Sequence, residues 1–108
     1  MTETAPDFAA ITAAQARIRD LVHRTPVISS GLLNEVTGAD VHFKCENLQK
    51  VGAFKARGAS NAVFGLTEAQ AAGGVATHSS GNHGAALAQA ARERGIAAHI
   101  VMPATAPA

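Results

Sequence analysis

Two short stretches hold residues whose types and spacing could do chemistry. In VGAFKARGAS, residues 51–60, Lys55 sits directly behind Phe54 and two residues before Arg57, in a segment otherwise made of small residues. A solvated lysine needs no such setting, whereas a lysine lying against a flat ligand with backbone close around it does. An amine attacks only after losing its proton; apolar neighbours (Ala53, Phe54, Ala56) and a nearby cation (Arg57) both push its pKa down. In THSSGNHGAA, residues 77–86, Ser79, Ser80, Gly81 and Asn82 lie where an apolar run turns into an alanine-rich helix. Ligands of open α/β sheets bind at the carboxyl ends of strands, and the amides opening the next helix favour an anion there. Small residues admit a carboxylate or phosphate close to the backbone, and the Asn82 amide can donate and accept. Taken alone, a well-capped helix start is the commoner explanation of such residues.

The elements that must position these residues are legible in outline. FAAITAAQARIRDLVHRTP reads as an amphipathic helix with Ile11, Ile18, Leu21 and Val22 on one face. Thr12 and Gln15 fit a capping box, which puts the N-cap at Thr12 and the helix end near His23. SSGLLNEVTG reads as a short helix closed by Gly38. VHFKCE alternates, with Val41, Phe43 and Cys45 on the inner face of a half-buried strand. ARGASNAVFGL, residues 56–66, is a second helix with Ala59, Ala62, Val63 and Leu66 on its stripe, and Thr67–Gln70 repeats the capping box. GVATH, NHGAALAQAARERG and AAHIVM give strand, helix and strand, a βαβ unit of a parallel sheet in the C-terminal half. A parallel sheet needs cover on both faces; two such strands and one separate strand lack it, so the chain is expected to stop within a fold.

Bulk properties narrow the class. The 108 residues are 47% hydrophobic and 16% charged with a net charge of +1, a globular composition that does not favour a nucleic-acid partner. No window reaches the roughly 20 apolar residues of a membrane span. The lone Cys45 suits a reducing compartment, and MTETAPDFAA has no basic n-region. The expectation is a soluble cytoplasmic protein.

AFKARGA followed at this distance by SSGNHG resembles the fold-type II pyridoxal-phosphate enzymes, in particular the branch of threonine/serine dehydratases and serine racemase. HRTPV, FKCENLQ and IVMP extend the resemblance along nearly the whole chain. It implies an α/β fold, the N-terminal part of a two-domain, tryptophan-synthase-β-like enzyme. Residues 1–50 would contribute to the larger domain and residues 51–108 would begin the smaller, parallel-sheet domain. Lys55 matches the lysine that carries pyridoxal 5'-phosphate, Phe54 the residue packed on the cofactor ring, and Asn82 the asparagine bonded to its 3′-oxygen. Ser79, Ser80, Gly81 and His83 match the turn that receives the substrate carboxylate. Ser80 also matches the hydroxyl that exchanges a proton on the face opposite the lysine in serine racemases. The implied activity is β-elimination of water from L-threonine or L-serine, giving a 2-oxo acid and ammonia. The alternatives are a serine racemase, an anion-binding module and an inactive fragment. A small amino-acid substrate and a homo-oligomer, dimer or tetramer, are implied for the full-length chain.

Several residues are expected outside this chemistry. Lys44 and Lys50 are expected to be solvated, Arg57 to anchor its helix, and Cys45 to pack in the core. No metal site is expected, since His78 and His83 lack further ligand types nearby. The family's glycine-rich phosphate loop is not present, and Gly73–Gly74 reads as a turn. Serine racemase has a nucleotide-binding region matching Ser30, Gly31, Lys50 and Val51. This chain lacks the hydroxyl residues at 31 and 51, which argues against nucleotide regulation.

Overall fold

The computed structural model describes residues 5–106. In chain order the elements are α1 (Phe8–Ile18), β1 (Val27–Ser29), α2 (Gly31–Thr37) and β2 (His42–Lys44). Two 3-10 turns, Glu46–Leu48 and Lys50–Gly52, lead into α3 (Lys55–Gly65) and α4 (Glu68–Ala71). Then come β3 (Val75–His78), α5 (Asn82–Arg94) and β4 (Ala98–Val101).

The strands form two separate ribbons. β1 and β2 are antiparallel with Ile28 opposite Phe43, and β3 and β4 are parallel with Val75 opposite Ala98 and His78 opposite Val101. The expected βαβ unit is therefore present, and α5 ends at Gly95, which takes the left-handed conformation at φ 76°. The core lies where α3 and α5 meet over the parallel pair. Ala59 and Val63 pack with Ala86, Leu87 and Ala90, while Phe64, Val75, Ile96 and Ile100 are partly buried around them. Alanines on both helices let the backbones approach closely, so a small core suffices to fix two helix starts relative to one another.

Several local expectations change. The N-cap of α1 is Asp7, whose carboxylate accepts the Ala10 amide at 2.8 Å. Thr12 lies inside the helix and its hydroxyl bonds back to the Phe8 carbonyl at 2.9 Å. Aspartate is as good a cap as threonine, and capping here starts the helix one turn earlier. The helix also ends at Ile18, and the amides of Leu21 and Val22 close a turn on the Ile18 carbonyl. β1 escaped the sequence reading because three residues carry no measurable periodicity. The strand at VHFKCE spans only residues 42–44 and is exposed throughout, with Phe43 at 43% exposure, because no described element packs over it. On α3 the buried stripe is Ala56, Ala59, Ser60 and Val63, whereas Ala62 is exposed. No helix among the described residues is long and apolar enough to cross a membrane.

Candidate functional site

Lys55 is the first residue of α3, and Phe54 is its N-cap. Both are exposed, and the Lys55 ammonium lies 5.5 Å from the Phe54 ring centroid, within cation–π range. The three lysines of the chain differ sharply in how they are held. Lys44 Nζ donates to the Thr25 carbonyl at 2.5 Å, and Lys50 Nζ pairs with Glu93 at 2.6 Å. Neither is simply solvated as expected, because partners 19 and 43 residues away in sequence reach them only once the chain is folded. The Lys55 ammonium has no hydrogen bond or ion pair among the described residues.

The turn between β3 and α5 is built by Ser79. Its amide extends the parallel ladder by donating to the Val101 carbonyl at 3.0 Å. Its hydroxyl then accepts the amides of Gly81 at 3.3 Å and Gly84 at 3.1 Å. Gly84 is required for this closeness: a Cβ there would lie 2.9 Å from the Ser79 carbonyl oxygen and 3.1 Å from Ile100 Cγ2. Gly81 is the N-cap of α5 and has no side chain, so the Ser79 hydroxyl, two residues ahead of it, supplies the capping bond and Ser80 does not. The side chains of Ser80, Asn82 and His83, and the amides of these three residues, make no hydrogen bond among the described residues. Ser80, Gly81, Asn82 and His83 are all exposed. Open donors at the positive end of a 13-residue helix suit a carboxylate or another anionic group.

Of the residues singled out in the sequence, the fold groups Phe54 with Lys55, and Ser79 with Ser80, Gly81, Asn82 and His83. No hydrogen bond or ion pair joins the two groups. They are tied by the packing of α3 on α5, the helices that Lys55 and Asn82 begin. Gly73–Gly74 forms the expected turn, closed by the Gly74 amide on the Ala71 carbonyl at 2.8 Å; Gly74, at φ 78°, also packs closely, since a Cβ there would lie 2.5 Å from the Ala97 carbonyl oxygen.

The sequence reading missed a polar hub behind Lys55. Arg57 donates in a fork to Glu46, Nε to Oε2 at 2.9 Å and Nη2 to Oε1 at 2.7 Å. The Thr25 hydroxyl adds a third bond to Glu46 Oε1 at 2.5 Å, and Arg57 Nη2 also reaches the His23 carbonyl and Thr25 Oγ1, each at 3.3 Å. Gln49, 4% exposed, donates to the His23 carbonyl at 2.8 Å and accepts the His23 and Lys50 amides, each at 2.9 Å. The Arg57 hydrogen bonds, joined by those of Thr25 and by the charges of Arg57 and Lys44, hold the Glu46 carboxyl down at about 2 against the opposing effect of burial. Arg57 does anchor its helix, as expected, but to two distant segments. The only sequence signal was the concentration of polar residues in 23–25 and 46–49. Cys45 is half-buried rather than in the core.

Comparison with known proteins gives these features a context. Residues 18–108 match the family model described as pyridoxal-phosphate dependent enzyme. The chain is 59% identical over 102 residues to a beta-hydroxyaspartate dehydratase of Paracoccus denitrificans (strain Pd 1222), covering 94% of this chain and 32% of that protein. It is 56% identical over 104 residues to a serine racemase of Oryza sativa subsp. indica, covering 96% and 31%. Among solved structures, maize serine racemase matches with a TM-score of 0.95 and 57% identity over 97% of this chain and 32% of that one. A T.th. threonine deaminase matches with a TM-score of 0.80 and 39% identity, covering 92% and 34%. The chain therefore spans about a third of the length of these relatives. Its mixed α/β fold is that of the fold-type II enzymes. The residues present fit pyridoxal phosphate: Lys55 offers an amine with no competing partner, Phe54 a flat exposed ring, and the Asn82 turn unused donors.

Proposed function

The chain belongs to the pyridoxal-phosphate-dependent enzymes, and from that premise we propose that the complete protein expels water from a small β-hydroxy amino acid, L-threonine or L-serine, to yield a 2-oxo acid and ammonia. The observation that carries this reading is the difference among the lysines: Lys44 and Lys50 are engaged, while Lys55 is unpaired beside Phe54. When bound, pyridoxal phosphate supplies an electron sink for the carbanion at Cα.

The roles of the chain's own residues follow from their placement. Phe54 presents a ring face against which a flat heteroaromatic group packs, and Asn82 offers its amide to a ring oxygen. The unused amides at the start of α5 hold the substrate carboxylate, oriented by the Ser79 cap. The Lys55 amine is the base that takes the Cα proton. In this reading residues 1–50 belong to a larger domain and residues 51–108 to a smaller one. The complete protein is a cytoplasmic homo-oligomer.

A second reading, racemisation of serine, is supported by Ser80. Its hydroxyl is exposed and spared from capping because Ser79 takes that task. It is therefore free to exchange a proton with Cα, provided the helix N-terminus and an anionic neighbour raise its poor basicity.

Borohydride reduction of the complete protein with pyridoxal phosphate, followed by peptide mapping, should place the pyridoxyl group on Lys55; a label on Lys44 or Lys50 would sink the assignment. A substrate panel of L-threonine, L-serine and β-hydroxyaspartate then fixes the preference. In Ser80→Ala, turnover of L-substrates should persist while D-serine formation and D-serine elimination disappear. A wild-type protein without any D-serine activity removes the racemase reading and leaves the dehydratase.

A further inference from the structure

The hub around Glu46 has no part in the chemistry just described, yet it holds the chain on both sides of the reactive lysine. Ahead of Lys55, the segment is pinned at Glu46 by Thr25 and Arg57, at Gln49 by His23, and at Lys50 by Glu93. Behind Lys55, it is pinned at Arg57. Between these points Phe54 and Lys55 are exposed, so nothing but their flanks fixes them. Two residues along a helix correspond to a rotation of about 200°, which sends Arg57 to the side of α3 away from the Lys55 amine. We propose that Arg57, Glu46 and Thr25 are positioning residues for Lys55, fixing the first turn of α3 so that its amine meets the cofactor in one geometry. The proposal rests on the reading of Lys55 as the cofactor-bearing residue.

Stability alone is a weak reason for the arrangement. Removing an arginine and a carboxylate from water costs as much as their attraction returns in many proteins, and apolar residues of equal volume hold such sites as well. Apolar packing does not set a direction, whereas the guanidinium fork on a carboxylate does. Both Glu46 oxygens are used, and Thr25, only 4% exposed, adds a third donor that holds the carboxylate in place. Direction matters here because a misplacement of about 1 Å in a reacting group can cost about a hundredfold in rate.

The test uses the complete protein in cofactor-loaded and cofactor-free forms. Arg57→Lys keeps the charge and loses the fork, Glu46→Gln keeps the shape and loses the charge, and Thr25→Val is paired with Thr25→Ser as the conservative rescue. The first readout is the rate at which added pyridoxal phosphate becomes trapped on Lys55 by borohydride; the second is the split between kcat and KM. Arg57→Lys and Glu46→Gln should slow trapping at least about fivefold and lower kcat by about ten- to a hundredfold, with KM within about threefold of wild type. Thr25→Val should follow them in part, and Thr25→Ser should stay near wild type. Trapping and kcat within twofold of wild type in both charged-residue variants overturn the positioning role, as does a loss accounted for entirely by the unfolded fraction seen in circular dichroism. Labelling of another lysine in the wild type overturns the underlying reading as well. Lys55 labelled in the wild type with unaffected variants overturns the positioning role alone.

Discussion

The hub at residues 23–57 and the turn at 79–84 are both rich in polar groups, and they treat them in opposite ways. In the hub, the Glu46 oxygens, the Arg57 Nε and Nη2, the Thr25 hydroxyl and the Gln49 amide are all spent on one another and on backbone. In the turn, one hydroxyl, Ser79, satisfies two amides, and the side chains of Ser80, Asn82 and His83 face outward unused. Polar groups that are satisfied in a partly buried network rigidify it; polar groups left at an exposed helix start keep their capacity for a ligand. The contrast separates frame from site more clearly than residue type does, since serine, asparagine, lysine and glutamate are equally suited to either.

The largest effect expected from breaking this comparison falls on Gly84. A side chain there meets backbone on one side and the Ile100 methyl on the other, so neither neighbour can swing away freely. Gly84→Val adds two further carbons to that contact, and overpacking of this kind costs about 1–3 kcal/mol, little offset by the better helix propensity of valine over glycine. We expect a loss near the upper end, about 3 kcal/mol, read as the shift of the denaturation midpoint of the complete protein. Trapping of pyridoxal phosphate on Lys55 should survive better than binding of a carboxylate substrate, because the damage is at the turn. Equal stability of variant and wild type would show that β3, α5 and β4 yield more easily than the close packing implies.

The balance between what the sequence disclosed and what it hid follows the same division. Lys55 and the Ser79–His83 turn were legible because their information is local: each lies at a helix start, and the residues that make it unusual are its immediate neighbours. The βαβ unit was legible because a long run of helix formers rich in alanine, stopped by Gly95, lies between two short apolar runs. The hub was not legible, since Thr25, Glu46 and Arg57 lie 21 and 11 residues apart and each alone passes for a surface residue. The three-residue strand β1 was equally hidden, and β2 looked half-buried only because alternation in VHFKCE says which faces differ, not whether either is covered. The cap at Asp7 was lost to a rival with the same chemistry, Thr12, one turn later.

A middle-sized effect should come from Ser79→Ala, which removes the one capping hydroxyl of the turn. Two amides, of Gly81 and Gly84, lose their acceptor, and loss of an N-cap costs about 1 kcal/mol. The exposed Gly81 amide can turn to water, but Gly84 is buried, so most of the cost sits there. KM for a carboxylate substrate should rise together with the stability loss, because the same hydroxyl orders the amides that would receive the carboxylate. Ser80→Ala should leave stability unchanged within a few tenths of a kcal/mol, as expected for an exposed substitution. Equal losses at 79 and 80 would mean that the two serines share the cap.

The last effect leaves no pH dependence near neutrality, and it is the one that sharpens the contrast most: it concerns acid. Arg57 and Thr25 hold the folded Glu46 carboxyl at about 2, below its ordinary value of 4.5. A depressed folded value means the unfolded chain binds the proton first as pH falls. Stability contributed by the ionised Glu46 is therefore complete above the unfolded value and is lost as pH drops through the window from about 4.5 to about 2. The difference in unfolding free energy between wild type and Glu46→Gln should be flat from about pH 7 to about 5.5 and shrink below that. The Ser79 hydroxyl has no charge to lose in this window, so the difference between wild type and Ser79→Ala should stay constant through the same range. Subtracting variant from wild type removes the titration of the other carboxylates, which the pairs share. A Glu46 difference that widens toward acid would mean the carboxylate is disfavoured in the folded state, and the hub would then be a strain on the fold rather than its frame.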